Sequence, residues 1–156
     1  MINISIPGRE PLVLQHLICD YNGTLALDGK LLSELPKVME KLSKELKIHV
    51  VTADTFGLAT KELQDLPIKL EILPPGKQDE AKLAFIRELN AESCFCVGNG
   101  RNDKLMLAGA AVGVCLIQRE GGSVATLAAA DIICASIIDA LELLLNPKRL
   151  IATLRV

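Results

Sequence analysis

The feature that most constrains this chain is a regular alternation of short apolar runs with longer segments whose apolar residues recur at helical spacing. No repeat, low-complexity linker or block of like charge interrupts this alternation. Repeated βα alternation predicts a doubly wound, Rossmann-like α/β fold, in which helices cover both faces of a parallel sheet. The alternating segments are residues 48–53, 56–64, 69–73, 79–90, 94–98, 102–110, 112–117, 121–130, 131–135 and 136–146.

The residues that precede this alternation predict how the chain enters the sheet. Residues 2–6 and 11–20 are strand-like and flank a Pro-Gly pair, which predicts a β-hairpin that leads into the first central strand. The segment 33–47 has apolar residues at helical spacing, with Ser33 as its predicted N-cap. At 156 residues the chain is expected to be a single domain, residues 1–156, with one core.

Composition excludes several classes of partner. Half of the residues are apolar but only 3% are aromatic, so the core must be aliphatic, and the aromatic faces that stack on single-stranded nucleic acid are scarce. The net charge is −2 and the basic residues are dispersed, unlike the basic face that binds a phosphate backbone. Because no apolar run approaches the ~20 residues of a membrane span, no membrane partner is expected either.

The cysteines and the N-terminus indicate a location. All five cysteines lie in or beside apolar strand-like runs without Cys-x-x-Cys spacing, which predicts reduced core residues rather than zinc ligands or disulfides. The N-terminus lacks a basic segment followed by an apolar stretch. A cytoplasmic protein is therefore expected. His16 and His49 also lie in apolar runs and are interpreted as core or edge residues rather than ligands.

Chemically active residue types follow the ends of the predicted strands. Asp20 and Thr52 each follow a strand-like run, and Asp103 lies in a glycine-containing turn after another. Lys82 begins a helix-like run. Each residue alone has an ordinary structural explanation, as a turn former, a helix cap or a surface lysine. Together, a carboxylate, a hydroxyl, an ammonium and a second carboxylate at the carboxyl ends of strands are suited to phosphoryl transfer.

In these segments the chain resembles the haloacid dehalogenase-like (HAD) superfamily, from about Leu12 to about Leu145. Within that superfamily it is similar to the phosphorylation domain of P-type ATPases and to soluble stand-alone phosphatases of that type. The matching motifs are Asp20-Tyr21-Asn22-Gly23-Thr24-Leu25 for Asp-Lys-Thr-Gly-Thr-Leu, Thr52-Ala53-Asp54 for Thr-Gly-Asp, and Gly98-Asn99-Gly100-Arg101-Asn102-Asp103 for Gly-Asp-Gly-x-Asn-Asp.

The resemblance implies a role for each matched residue. Asp20 would be the nucleophile that accepts the phosphoryl group, with Thr52 and Lys82 as further catalytic residues. Phosphate or substrate would bind to Asn22, Gly23, Thr52, Ala53, Lys82 and Asn102. A Mg²⁺ ion would be held by Asp20, the main-chain carbonyl of Asn22, Asp103 and, through its amide oxygen or a water, Asn99.

Three of these assignments have alternatives in the sequence. Lys77, in the loop before the helix-like run, competes with Lys82 for the phosphate. Asp103 is also placed to cap a helix that begins near Lys104. Asp54 would either orient Lys82 or the flap-like stretch after Thr24, or cap a helix that begins near Phe56.

Two departures from typical HAD phosphatases carry information about function. Asn99 replaces the first Asp of the last motif, which removes one negative charge near the metal and predicts weaker magnesium binding. Asn22 replaces an Asp that protonates the leaving group, so substrates with good leaving groups are expected: nucleoside triphosphates, acyl phosphates or aryl phosphates. A phosphoacceptor or regulatory module with slow turnover is the alternative. The stretch from Thr24 to Thr52 is too short for an inserted cap domain, which predicts an open site and, to cover it, a homo-oligomer.

Overall fold

The computed structural model describes residues 1–54 and 57–156 and contains a central parallel sheet of six strands. These strands are β3 (His16–Cys19), β6 (Lys47–Thr52), β7 (Lys69–Ile72), β8 (Cys94–Gly98), β9 (Val112–Leu116) and β10 (Ile132–Cys134). Their order across the sheet is β10-β9-β8-β3-β6-β7. Because β3 lies between β6 and β8, Cys19 is in register with Val50 on one side and Val97 on the other. The doubly wound α/β prediction is confirmed.

Two antiparallel hairpins precede the alternating part of the chain. In the first, β1 (Ile2–Ile4) pairs with β2 (Leu12–Leu14), as predicted. The predicted strand 11–20 is interrupted at Gln15, whose N–H donates to Ser93 and whose carbonyl accepts from Lys47, so the chain leaves the hairpin there and enters the central sheet. The second hairpin pairs β4 (Ala26–Leu27) with β5 (Lys30–Leu31), and we call residues 26–31 the flap.

Seven α-helices accompany the strands in the described ranges. They are α1 (Leu35–Leu42), α2 (Leu58–Leu63), α3 (Gln78–Glu88), α4 (Lys104–Gly109), α5 (Val124–Leu127), α6 (Ile137–Leu145) and α7 (Pro147–Leu154). The predicted helix 33–47 was too long: α1 ends at Leu42, and residues 43–46 turn back so that Leu46 N–H donates to Leu42 O at 2.8 Å. Its N-cap is Glu34, so the prediction of a Ser33 cap was wrong.

The two faces of the sheet bury separate apolar clusters, because successive side chains of a strand point to opposite faces. Leu17 packs in one cluster with residues of α1 and α6, whereas Ile18 packs in the other with residues of α3 and α4. All five cysteines are free thiols, and four of them are buried. None of the helices in the described part of the chain is long and apolar enough to cross a membrane.

The two histidines lie side by side on neighbouring strands β3 and β6. His16 Nδ1 is 3.2 Å from His49 Nε2, and both rings are buried. His49 Nδ1 has no hydrogen-bond partner among residues 1–54 and 57–156. Burial, followed by the repulsion of His16 and of the nearby lysines Lys69 and Lys47, lowers the pKa of His49 to about 4.

Candidate active site

The sheet brings the predicted site residues to one edge. Asp20 directly follows β3, Thr52 is the last residue of β6, and Asn99 directly follows β8. These three strands are neighbours and parallel, so their carboxyl ends meet. The Asp20 N–H donates to the Val97 carbonyl at 3.0 Å, which extends the β3–β8 pairing to the turn that carries the carboxylate.

A buried ammonium joins the two predicted carboxylates. Lys82 Nζ, which α3 supplies from one face of the sheet, lies 2.6 Å from Asp20 Oδ1 and 2.6 Å from Asp103 Oδ1. The exposed fractions are 7% for Asp20, 1% for Lys82 and 0% for Asp103. The two carboxylate oxygens are thus close enough to share one cation, and the cluster is shielded from solvent.

Burial controls the electrostatics of this cluster. Burial and then the negative charge of Asp103 raise the pKa of the Asp20 carboxyl to about 7, against the opposing effect of Lys82. For Lys82, burial lowers the pKa, but the two carboxylates outweigh burial and the net shift is upward. Two carboxylates against one ammonium leave an excess of negative charge when both are ionised.

The loop after β8 holds Asp103 in place. Asp103 Oδ2 accepts hydrogen bonds from the backbone N–H groups of Asn99 and Gly100, both at 2.9 Å. A Cβ on Gly98 would lie 2.4 Å from the Asp103 carboxyl carbon, so only glycine fits there. Although Asp103 immediately precedes α4, its side chain makes no capping hydrogen bond to the described residues of that helix. The helix-cap alternative is therefore not what the structure shows.

The structure also bears on the alternatives for the phosphate-contacting lysine and for Asp54. Lys77 is exposed and pairs with Glu80 at 2.9 Å, away from the two carboxylates. Asp54 caps α2, because its carboxylate accepts from the N–H groups of Ala59 at 2.8 Å and Thr60 at 3.1 Å. Phe56, near which that helix was predicted to begin, lies outside the described residues.

A cleft of about 180 Å³ opens above the buried cluster. Its walls combine the ends of β3, β6 and β8 with the start of α3. Four predicted phosphate-binding residues line the cleft: Asn22, Thr52, Ala53 and Asn102. The other lining residues are the predicted nucleophile Asp20 and three more, Gln78, Asn99 and Gly100. Thr52 Oγ1 accepts from the Asp54 N–H at 3.3 Å. Its hydroxyl proton has no acceptor among residues 1–54 and 57–156, so within this part of the chain it is able to donate to a ligand.

Two predicted site residues are engaged in holding the turns. Gly23 does not line the cleft, and its N–H donates to the Ala26 carbonyl at 2.9 Å, so the predicted phosphate contact of Gly23 is not supported. The Asn99 amide accepts from Thr24 Oγ1 at 3.4 Å and donates to Gly121 O at 2.9 Å. Asn99 therefore joins the two loops, and its predicted contact with the metal, through the amide oxygen or a water, stays a prediction.

The donor set nevertheless fits a magnesium ion. Mg²⁺ prefers hard oxygen ligands and is commonly bound by one or two carboxylates. Asp20 and Asp103 supply two carboxylates that already converge on one cation, the Lys82 ammonium, and their excess negative charge favours a further cation. Asn22 lines the same cleft, and the contact of its main-chain carbonyl with the metal stays a prediction.

Several contacts around the site had no signal in the sequence. Gln118, in the loop after β9, donates to the carbonyls of Gly23 and Thr24. Glu120 accepts from the backbone N–H of Asp28 at the tip of the flap. A glutamine or glutamate in a surface loop has no distinguishing pattern, so only the folded chain identifies these two residues. They also line a second, larger cavity of about 370 Å³ beside the flap.

A comparison with curated proteins finds an archaeal relative. No protein-family model matches the chain. The uncharacterized protein MJ0073 of Methanocaldococcus jannaschii is 43% identical over 84 residues, which are 51% of this chain and 90% of the relative. The chain belongs to the same family as that protein.

A comparison with solved structures identifies the fold. The cobalt-bound deoxy-D-mannose-octulosonate 8-phosphate phosphatase of Haemophilus influenzae matches with a TM-score of 0.72 and 13% identity, over 88% of this chain and 90% of that chain. The 3-deoxy-D-manno-octulosonate 8-phosphate phosphatase of Moraxella catarrhalis, solved with a magnesium ion, a phosphate ion and a KDO molecule, matches with a TM-score of 0.71 and 15% identity, over 91% and 94%. A HAD superfamily (subfamily III A) hydrolase of Legionella pneumophila matches with a TM-score of 0.72 and 15% identity, over 90% of this chain and 87% of that chain. The predicted HAD-type fold is confirmed.

Proposed function

We propose that this chain is a magnesium-dependent phosphohydrolase that works through an aspartyl-phosphate intermediate, an acyl phosphate on Asp20. The observation that carries the proposal is the buried Asp20–Lys82–Asp103 cluster at the base of a cleft of about 180 Å³. The cluster places two carboxylates around one ammonium at the carboxyl edge of a HAD-type sheet. These are the groups that phosphoryl transfer needs. The Haemophilus and Moraxella neighbours are both named phosphatases, which supports the same reaction class.

Charge compensation decides how a phosphate can approach Asp20. When Asp20 is ionised, as a nucleophile must be, the site carries more negative than positive charge, so the carboxylates alone would repel an anionic phosphate. Asp20, Asp103 and the main-chain carbonyl of Asn22 are the groups that would hold Mg²⁺. When bound, Mg²⁺ neutralises negative charge on the phosphoryl oxygens and on the attacking carboxylate.

In the first step, one Asp20 carboxylate oxygen forms a bond to phosphorus. The bond between phosphorus and the leaving-group oxygen breaks, and its electron pair departs with that oxygen. Lys82 and the Thr52 hydroxyl, whose proton has no acceptor in the described part of the chain, donate to phosphoryl oxygens as the charge on them changes. In the second step, a water oxygen forms a bond to phosphorus and the bond between phosphorus and the Asp20 oxygen breaks. The electron pair of that bond returns to Asp20 as its carboxylate, and the water protons leave with the inorganic phosphate.

Asn22 sets the substrate preference in this scheme. It lines the cleft, but its amide can neither protonate the leaving oxygen nor remove a proton from the attacking water. The leaving groups of acyl phosphates, aryl phosphates and nucleoside triphosphates depart as stabilised anions, so these substrates need protonation of the leaving oxygen least. The named neighbours are phosphatases of a sugar-acid phosphate, so they do not support a P-type ATPase-like reaction, and the preference rests on Asn22 alone.

The test combines turnover with detection of the phosphoenzyme. Purified chain is assayed with p-nitrophenyl phosphate, acetyl phosphate, ATP and a sugar phosphate, each with and without MgCl₂. Turnover should require Mg²⁺ and should vanish in Asp20→Asn, because an amide is neither anionic nor nucleophilic. The exposed Asp65→Asn is the matched control and should keep full turnover. Undiminished turnover in Asp20→Asn would refute the covalent mechanism.

A second candidate, a phosphoacceptor module, is favoured by the same Asn22. If water is activated too slowly, the phosphate on Asp20 persists and acts as a signal instead of an intermediate. The lifetime of acid-stable, hydroxylamine-labile phosphate on the protein separates the two. Breakdown at the rate of substrate turnover indicates an enzyme, whereas persistence over many minutes indicates a phosphoacceptor.

A further inference from the structure

The turn that carries the candidate nucleophile is stabilised internally by one carbonyl. We define residues 20–24 as the nucleophile turn. The N–H groups of Thr24 and Leu25 both donate to the Tyr21 carbonyl, at 3.2 and 2.9 Å. These bonds hold the N–H side of two consecutive peptide groups.

A single side chain holds the opposite side of the same two peptide groups. Gln118 Nε2 donates to the carbonyls of Gly23 and Thr24, both at 3.0 Å. Gln118 lies 94 residues from Thr24 in the chain, in the loop that follows β9. Each of the two peptide groups is therefore hydrogen-bonded at its N–H and at its carbonyl, so neither can rotate without losing a bond.

The Gln118 amide is itself oriented by a third contact. Its Oε1 accepts from the backbone N–H of Ile137 at 2.7 Å, at the start of α6. A reversed amide would place Oε1 against two carbonyl oxygens and Nε2 against an N–H donor. The network thus selects one orientation and connects the nucleophile turn to α6.

We infer that Gln118 is a positioning residue that fixes the nucleophile turn in the geometry needed for phosphoryl transfer; this inference rests on the function proposed above. The turn contains Gly23 at φ 76°, a residue with wide backbone freedom. It also carries the Asp20 carboxylate and the Asn22 carbonyl of the candidate metal site. Because small displacements of reacting groups reduce rates strongly, a turn that contains a glycine, whose backbone is intrinsically less restricted, benefits from an external anchor. Gln118 supplies that anchor without touching the cleft.

The isosteric variant Gln118→Glu tests the role directly. It keeps an oxygen acceptor for the Ile137 N–H but replaces the two N–H donors by an oxygen that repels both carbonyls. The expected result at pH 7.5 is a kcat/KM for p-nitrophenyl phosphate that is about 10- to 100-fold lower, with a higher Mg²⁺ half-saturation concentration. Arg119→Gln, at the exposed neighbouring position, is the matched control and should leave both unchanged.

A pH profile distinguishes positioning from a general loss of structure. In Gln118→Glu, protonation restores a donor to one carbonyl, so the ratio of variant to wild-type kcat/KM should rise as pH falls from 7.5 to 5.5. The facing carbonyl oxygens favour the protonated form of the introduced carboxyl. The nearby charged groups are Arg119, Glu120 and, in the first turn of α6, Asp139. A loss of structure that does not depend on the missing donor would not recover in this way, and a ratio that stays low and flat would overturn the inference.

Hydrogen exchange gives a readout that does not depend on catalysis. The Thr24 and Leu25 amides should exchange about 10-fold faster or more in Gln118→Glu than in wild type at pH 7.5. Amides of β8 should be unchanged, as should all of these amides in Arg119→Gln. If exchange and turnover both match wild type, this inference fails, although the Asp20 mechanism stands. If Asp20→Asn keeps its turnover, the proposed function fails, and the exchange result still decides whether Gln118 holds the turn.

Discussion

At the scale of single residues, the site depends on one ammonium placed between two carboxylates. Lys82 is as buried as the apolar core, a position that lysine occupies rarely unless it is paired. Both of its partners are also buried, so each of the three charges relies on the others. Removing one member leaves uncompensated charge in a region of low dielectric constant, which is costly for stability as well as for chemistry.

The first prediction concerns this ammonium. Lys82→Met should abolish phosphoryl transfer and, because two buried carboxylates lose their partner, lower the free energy of unfolding by about 3–5 kcal/mol at pH 7.5 without metal. Chemical denaturation with and without MgCl₂ measures the effect, and added Mg²⁺ should recover part of the stability. Lys77→Met, at an exposed lysine, is the control and should change neither stability nor turnover. Equal effects of the two variants would contradict the assignment.

The second prediction concerns Asn22. If proton transfer limits the reaction, Asn22→Asp should increase turnover of alkyl phosphates by up to about 10²-fold and shorten the lifetime of the phosphoenzyme. Asn22→Ala, which removes the amide without adding an acid, should produce neither change. Rapid-quench measurement of phosphoenzyme together with a leaving-group series provides the data. An Asn22→Asp variant that folds and binds Mg²⁺ but keeps the wild-type leaving-group preference would show that Asn22 is not limiting.

At the scale of elements, neighbouring strands supply both the site and a distant polar pair. The register that aligns Cys19 with Val50 also brings His16 and His49 together on one face of β3 and β6. Two glutamates from different parts of the chain also hold the flap. The Leu31 N–H donates to Glu62 of α2 at 3.1 Å, and the Asp28 N–H donates to Glu120 at 3.0 Å.

The histidine pair predicts an acid-sensitive step in stability. Burial and then the charge of His16 lower the pKa of His49 to about 4 in the folded chain, whereas an unfolded histidine titrates near 6.5. Between these values the unfolded state binds more protons, so the free energy of unfolding falls as pH drops from 6.5 towards 4, by at most about 3 kcal/mol. Above pH 7 this contribution is constant.

Urea denaturation of wild type and His49→Leu between pH 7.5 and 5 measures this effect. Below pH 6.5 the free energy of unfolding of the variant should fall less than that of wild type, because the variant lacks the His49 contribution. The opposite contribution of Asp20, whose folded pKa is raised to about 7, is present in both proteins and does not change the comparison. At pH 7.5, where neither histidine is charged in either state, the two proteins should have similar slopes against pH. The same slope for both proteins between pH 6.5 and 5 would contradict the prediction.

At the scale of the whole molecule, we propose a single capless domain with an open cleft. Between Thr24 and Thr52 the chain forms the flap, α1 and β6, with no inserted domain in this described stretch. We predict that a second subunit covers the cleft, so light scattering should show a dimer or larger assembly at micromolar concentration, and specific activity should fall on dilution. A monomer with full activity at every concentration would exclude a shared site.

The sequence alone determined the features that depend on local pattern. Apolar periodicity predicted the alternating strands and helices, because burial of one helix face or of a central strand leaves a mark within a few residues. Motif position predicted that Asp20, Thr52 and Asp103 would converge, since the carboxyl ends of parallel strands meet at one edge. The sequence left Lys77 as a competitor of Lys82 for the phosphate, and the structure places Lys82 between the carboxylates.

Tertiary structure alone decided which groups of the site residues remain available. The Gly23 N–H is used by Ala26, the Asn99 amide by Thr24 and Gly121, and Asp54 by α2, although each residue lies within a matched motif. Gln118 contacts Gly23, which is 95 positions away in the chain, and Thr24, which is 94 positions away. Hydrogen bonds of this kind depend on the packing of distant loops, and side-chain type and spacing carry no record of it. The sequence therefore determined where the site is, and only the fold determined how its turns are held.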